Sequence, residues 1–251
     1  MIIWITGASS GLGREAARQY AQLGHTVCVS ARNSKALHEL AEECRQFDGD
    51  IYPAAMDVTD VTQASDGFAD ICKNVGAPDL TILNAGTYIR NTADKFDRSV
   101  FETTMDINYM GTVNCLQQVV PVYIEQGRGQ IGIVASVAGY RGLPGASAYG
   151  ASKAALINLF EAIQPELAVR GVSVSLINPG FVRTPLTDKN KFPMPFLMEV
   201  DDAARAMVSG LERRRAEITF PKRFTWMIKA LRLLPIALYL WLTRRMVERD
   251  R

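Results

Sequence analysis

Ile2-Ile3-Trp4-Ile5-Thr6-Gly7-Ala8-Ser9-Ser10-Gly11-Leu12-Gly13-Arg14 is an apolar run, a glycine loop and the start of a segment with helical spacing that lasts to Leu23. An unbroken apolar run this short predicts a strand buried on both faces, and residues 14–23 predict a helix behind it. Glycine allows the tight turn and lets the main chain come close to a ligand, while the first N–H groups of a helix have no partner within it. Strand, glycine turn and helix N-terminus therefore form a cradle for a pyrophosphate, with Gly7, Ser9, Ser10, Gly11, Leu12 and Gly13 as its contact residues. Many α/β proteins carry a glycine turn with no ligand on it, and the rest of the chain has to separate the two cases.

Outward from this unit, strand and helix patterns alternate to residue 220. Strands are predicted over 2–6, 25–30, 51–56, 80–83, 131–135, 172–177 and 217–220, and helices over 14–23, 35–47, 61–75, 99–125, 149–169 and 201–213. This alternation implies an α/β fold: one Rossmann-type, doubly wound, parallel seven-stranded sheet with helices on both faces. No linker, repeat or low-complexity tract interrupts residues 1–221, which read as a single dinucleotide-binding and catalytic domain. At 251 residues, 48% hydrophobic and 22% charged, the chain is large enough for a core that needs neither disulfides nor metal.

A net charge of +2 argues against a nucleic-acid partner. Cys28, Cys44, Cys72 and Cys115 form no Cys-x-x-Cys pair, which fits inert thiols in a reducing compartment. The chain opens directly into the first strand without a basic leader, and cytoplasmic residence is the expectation. With two histidines, His25 and His38, a histidine base or a metal centre has poor support.

In an open parallel sheet, ligands sit outside the carboxyl ends of the strands, so the residues after each strand are candidates. After the second strand, where an acid would accept from a ribose 2′-hydroxyl, stands Arg32, followed by Asn33. A guanidinium suits a 2′-phosphate and favours NADP(H) over NAD(H); a solvated Arg ahead of a helix capped by Asn33 or Ser34 is the other reading. Asp57 and Val58 follow the third strand, where the carboxylate can take an adenine amino group or simply close a turn. Asn84, Ala85 and Gly86 end the fourth strand and permit close approach of a ribose, with Asn84 equally able to stabilise a sheet edge. Pro179, Gly180, Val182 and Thr184 form a fixed turn after the sixth strand. Residues 187–200, with Phe192, Pro193, Pro195, Phe196 and Leu197, have no clean period and read as a lid suited to an apolar substrate.

Tyr149 and Lys153 lie four residues apart, stacked on one helix face. A fixed cation beside a phenol favours phenolate, so Lys153 is expected to pull the Tyr149 pKa down from about 10. Tyr149 can then exchange a proton with a substrate oxygen, and Ser136, at the carboxyl end of the fifth strand, can hold the same oxygen. Asn108 is an amide in a helix interior, where it is disfavoured and ordinarily solvated or kinking.

In order, spacing and length, Thr6-Gly7-x-x-x-Gly11-x-Gly13, Asp57, Asn84-Ala85-Gly86, Asn108, Ser136, Tyr149-x-x-x-Lys153 and Pro179-Gly180 with Thr184 resemble the short-chain dehydrogenase/reductase family over about residues 1–220. The resemblance implies an oxidoreductase of the carbonyl reductase or alcohol dehydrogenase type, in which hydride passes between nicotinamide C4 and a substrate carbon while Tyr149 moves the proton. It also implies that Ser136 positions the carbonyl or hydroxyl, that Lys153 binds the nicotinamide ribose and tunes Tyr149, and that Asn108 holds a water in a proton relay. Thr184 and the backbone near Val182 would engage the carboxamide, Arg32 belongs to an NADP-preferring pattern, and the implied assembly is a homodimer or homotetramer. Leu83 departs from the pattern, which often has Asn there. A catalytically silent dinucleotide sensor on the same fold is the competing reading, and the intact Ser136, Tyr149 and Lys153 stand against it.

Residues 222–251 lie outside the resemblance and carry eight basic and two acidic side chains, net +6, leaving −4 on residues 1–221. Residues 226–242 are mostly apolar, but Lys229, Arg232 and Pro235 interrupt them, and the unbroken part is half of the ~20 residues a membrane span requires. One expectation is a helical extension packed on the body or on a partner subunit. The other is a peripheral anchor at the inner face of a membrane, with Trp226, Tyr239 and Trp241 at the headgroups and Arg244 and Arg245 on anionic lipid, which would point to a lipid-ketone substrate.

Overall fold

All seven predicted strands form, and they pair in parallel in the order β3-β2-β1-β4-β5-β6-β7. The structure is a computed structural model that describes residues 1–188 and 194–249. β1 (Ile2–Thr6), β2 (Thr26–Ser30) and β3 (Ile51–Pro53) step outward to one edge; β4 (Leu80–Leu83), β5 (Gly129–Val134), β6 (Val172–Pro179) and β7 (Glu217–Phe220) step outward to the other. β1 is flanked by β2 and β4, with Thr6 opposite Ser30 and Ile5 opposite Ile82. The chain reverses its march across the sheet between those neighbours, and the connections leaving β1 and β4 part to open a crevice.

Residues alternate between two cores. Ile3 and Ile5 pack with α1 (Gly11–Gln22), α2 (Ser34–Cys44) and α7 (Val200–Glu212), while Trp4 packs on the opposite face with α3 (Val61–Asn74), α5 (Gly111–Gln126) and α6 (Ser147–Ala168). Helices on both faces leave no wet side, which is why β1 reads as an unbroken apolar run. Trp4 is fully buried, and its Nε1 donates to Ser30 Oγ at 2.9 Å, so the indole leaves no orphaned donor in the core.

Several boundaries differ from expectation, α2 ending at Cys44 and β5 beginning at Gly129 among them. α1 begins at Gly11, so the last glycines of the loop form its first turn. β3 stops at Pro53, and β6 runs on to Pro179. The predicted helix 99–125 is α4 (Arg98–Met105), a π-helical turn (Asp106–Met110) and α5. Asn108 sits in the wide turn and is held from outside it: its Oδ1 accepts from Thr87 N at 2.7 Å, and its Nδ2 donates to Thr87 O at 3.0 Å and Ser152 Oγ at 2.9 Å. The amide thus bonds main chain outside its own helix.

The tail packs on the body. α8 (Lys222–Arg232) buries Phe224, Thr225 and Ile228, with the Phe224 ring 5.4 Å from that of Phe181. α9 (Ile236–Arg249) follows a break ending at Pro235 and buries Tyr239 and Thr243. Arg141 clamps the break: its Nη1 donates to the carbonyls of Leu231, Arg232 (3.2 Å) and Leu234 (3.0 Å), and its guanidinium stacks 3.9 Å over the Tyr239 ring. Tyr239 in turn donates to Gly142 O, and Lys229 pairs with Glu217 of β7. Among the described residues no helix is long and apolar enough to cross a membrane. Within the expected lid, Phe192 and Pro193 lie outside the described residues; Met198 exchanges main-chain hydrogen bonds with Phe181 and Arg183, which ties that end of 187–200 to the crevice rim.

Candidate active site

A crevice of about 540 Å³ lies along the carboxyl ends of the strands. Gly7, Ser9, Ser10, Gly11, Leu12, Arg32, Asn33, Asp57, Val58, Asn84, Ala85, Gly86, Ser136, Tyr149, Lys153, Pro179, Gly180, Val182 and Thr184 all line it. Gly13 and Asn108 do not, and each acts from behind. A Cβ on Gly13 would meet Asn84 Nδ2 at 2.4 Å and Gly7 O at 2.7 Å, so its bareness is what lets α1 seat against the loop. Asn108 fastens the segment after β4 to α6, and its own carbonyl accepts from Thr112 Oγ1 at 3.0 Å.

The cradle has the conformation its sequence predicts. Gly7 and Gly11 have φ of +69° and +57°, and Ser10, the N-cap residue of α1, makes no capping bond with its side chain. With no acidic residue in the first turn either, the helix N-terminus keeps its free N–H groups and positive end for an anion. Asn84 Nδ2 donates to the carbonyls of Thr6 and Gly7, both at 3.1 Å. β4 is central, so the expected stabilisation of a sheet edge by Asn84 is replaced by bracing of the glycine loop.

Of the two open readings of 32–33, the structure has the helix cap at Asn33. Asn33 Oδ1 accepts from Ala36 N at 3.1 Å and caps α2, while Arg32 lines the crevice with its Nη1 3.9 Å from Asp57 Oδ2. Asp57 closes a turn as well, its Oδ1 accepting from Thr59 N and Oγ1 at 3.0 and 2.8 Å. The other carboxylate oxygen faces Arg32.

At the other end, α6 presents Tyr149 and Lys153 beside Ser136. Lys153 is only 3% exposed, and its Nζ donates to Val134 O at 2.8 Å; burial lowers its pKa to about 8. The expected depression of the Tyr149 pKa by Lys153 is not what the structure has. Burial in the crevice wall raises the phenol, the Ser136 hydroxyl works against that, and Tyr88 adds to it. Lys153 Nζ lies 5.8 Å from the ring centroid and is directed at a carbonyl, so its field at the phenol loses to desolvation. Tyr88 packs edge-on against Tyr149 at 5.3 Å, and the Ser136 hydroxyl accepts from Ala138 N at 3.2 Å.

Sequence reasoning missed Thr87, Ile107, Met56, Pro185 and Leu186, which also line the crevice, as does Thr187 of the expected lid. Thr87 directly follows the Asn84-Ala85-Gly86 motif and was within reach of the strand-end rule. Ile107 was not, because the π-helical turn shifts it out of α-helical phase. Among the described residues no group of His, Cys, Asp or Glu could hold a metal ion.

An uncapped helix N-terminus over left-handed glycines, a guanidinium after the second strand, and Ser136 after the fifth beside Tyr149 and Lys153 of α6 fit a nicotinamide dinucleotide. The comparisons with known proteins agree. Residues 1–193 match the family model described as short chain dehydrogenase. An uncharacterized oxidoreductase of Myxococcus xanthus is 36% identical over 242 residues, 96% of each chain. The 3-oxoacyl-(acyl-carrier-protein) reductase FabG of Thermotoga maritima is 34% identical over 185 residues, covering 74% of this chain and 75% of its own. A short-chain dehydrogenase from Sphingobium yanoikuyae, solved in complex with NADPH, matches with a TM-score of 0.80 at 25% identity, covering 100% of this chain and 96% of that one. The chain therefore belongs to the short chain dehydrogenase family.

Proposed function

We propose that this short-chain dehydrogenase/reductase is an NADPH-dependent carbonyl reductase with Tyr149 as its proton donor. The observation that carries the reading is the convergence of Ser136, Tyr149 and Lys153 at one end of a crevice whose other end offers Arg32 and a free helix N-terminus. Bound there, the cofactor supplies the hydride to the substrate carbon. The remaining work falls to the chain. Ser136 donates a hydrogen bond to the substrate carbonyl oxygen, and Tyr149 delivers its phenolic proton to that oxygen, so that the product is the alcohol. A phenol raised by burial stays protonated at neutral pH, which suits the reducing direction. Lys153 stabilises the phenolate left behind.

Arg32 supports NADPH over NADH, because it is free to bridge from Asp57 to a 2′-phosphate. The unpaired thiols, three of them buried, suit a reducing cytoplasm, and the family resemblance suits a homodimer or homotetramer. The test is NADPH consumption across ketones, aldehydes, quinones and long-chain acyl ketones, repeated with NADH and with Arg32→Asp. Turnover of at least one carbonyl is expected, with a lower KM for NADPH. Loss of charge-assisted phosphate bonds of about 1.5 to 3 kcal/mol should erase that preference by roughly ten- to a hundredfold. NADPH binding without turnover across the whole panel would leave a dinucleotide sensor and overturn the reading.

A further inference from the structure

We propose that α8, the break at 233–235 and the first half of α9 form a docking surface for an anionic lipid membrane, whichever substrate the crevice takes. Eight of the sixteen large apolar side chains exposed among the described residues fall within 226–247, among them Trp226, Leu233, Ile236, Leu238, Leu240 and Trp241. Leu233 is 86% exposed and Trp226 71%. A concentration of this kind on one extension marks an interaction face. Both helices are pinned to the body by the opposite side, through Phe224, Ile228, Tyr239 and Thr243, so the exposed residues are displayed on a fixed scaffold.

Charge decides what covers the face. Residues 222–251 carry net +6 and residues 1–221 carry −4. A two-fold contact would set the basic face against itself, whereas an anionic bilayer accepts arginines at its phosphates, tryptophans at the interface and leucines below it. Arg244 and Arg245 follow the apolar stretch by one turn, with the Arg245 guanidinium stacked 3.7 Å over the Trp241 ring. The acidic remainder is repelled by the same lipid, which orients the molecule with this face down. A groove of about 700 Å³, lined by Ile157, Phe160 and Leu176 and bordered by Trp226 and Leu233, runs under α8 and is continuous with the face. On the inner side of α8, Phe224 packs against Phe181, next to crevice residue Gly180, so a bound membrane lies one helix away from the crevice rim.

The test is flotation of the full-length protein with vesicles of phosphatidylcholine alone, or of phosphatidylcholine and phosphatidylglycerol in equal parts, at low and high salt. The protein is expected to float with the anionic vesicles at low salt and to be released by high salt. Leu238→Gln/Trp241→Gln and Arg244→Gln/Arg245→Gln change exposed residues, so thermal unfolding should stay unchanged while binding falls. At about fivefold for each charge near an anionic surface, the arginine pair should cost roughly twenty-fold. Protein that stays behind with anionic vesicles at low salt overturns the proposal, as does flotation that both double variants retain. A dimer in sedimentation equilibrium that Leu238→Gln/Trp241→Gln dissociates assigns the face to a second copy and overturns it too. No arm depends on cofactor or turnover, so the outcome is independent of the catalytic reading.

Discussion

Tyr149 stands between a crevice wall that holds its proton on and a Ser136 hydroxyl that eases it off. Tyr149→Phe keeps the ring and its edge-on contact with Tyr88 but removes the acid, so kcat should fall by about 10² to 10⁴ while NADPH affinity changes by no more than a few-fold. Single-turnover kinetics and fluorescence titration check both halves. Lys153 makes a second prediction, in pH. Its ammonium is buried and its pKa lies near 8 against an ordinary 10.5. Below pH 8 both folded and unfolded chains carry the proton, and the cost of burying the charge is fully present. Between 8 and 10.5 the folded chain has released a proton that the unfolded chain still holds, so stability gains with rising pH in that window. Thermal melts of the cofactor-free protein should show the wild type gaining on Lys153→Met from pH 8 upward; parallel curves would contradict the assignment. These side chains were legible in the sequence because their chemistry depends on type and spacing. The direction of the Tyr149 shift was not, because desolvation depends on walls contributed by several strands.

At the scale of elements, glycine placement governs how closely α1 approaches the sheet. Gly13→Ala would push a methyl into Asn84 and the Gly7 carbonyl, and overpacking of this kind typically costs about 1 to 3 kcal/mol. The displaced Asn84 would also loosen the glycine loop, so cofactor affinity should fall along with the unfolding midpoint. A control at Gly142, where a Cβ meets nothing within 4 Å, should leave both unchanged. β1 and β4 were readable to the residue because their apolar runs end at Gly7 and Asn84, and β7 because its alternating Glu-Ile-Thr-Phe stops at Pro221. The π-helical turn was not, since the Asn108 bonds to Thr87 and Ser152 that accompany it span 21 and 44 residues of sequence. The mid-helix amide itself was visible as an anomaly.

For the molecule as a whole, Arg141 of the body carries the break between α8 and α9 of the tail. Arg141→Ala removes hydrogen bonds to three carbonyls and the stack on Tyr239, leaving half-buried acceptors without a partner. A charged hydrogen bond is worth about 1.5 to 3 kcal/mol, so the tail should open roughly ten- to a hundredfold more often. Limited proteolysis should cut it faster by that factor, with the crevice still able to bind cofactor. Arg141→Lys should rescue only part of this, because an ammonium lacks the planar face that lies on the tyrosine ring. The sequence announced the tail's composition but left its docking open, since the clamp comes from a loop some 90 residues upstream. The strand order has one more consequence, for synthesis. β1, an interior strand, is made first and gains β2 early, yet its other flank waits for a segment 77 residues further on. At about 5 to 20 residues per second, a nascent chain carries that bare apolar flank for several seconds. Ribosome-bound fragments ending before Leu80 should therefore be sticky, and chaperone capture should peak there and fall once β4 has emerged.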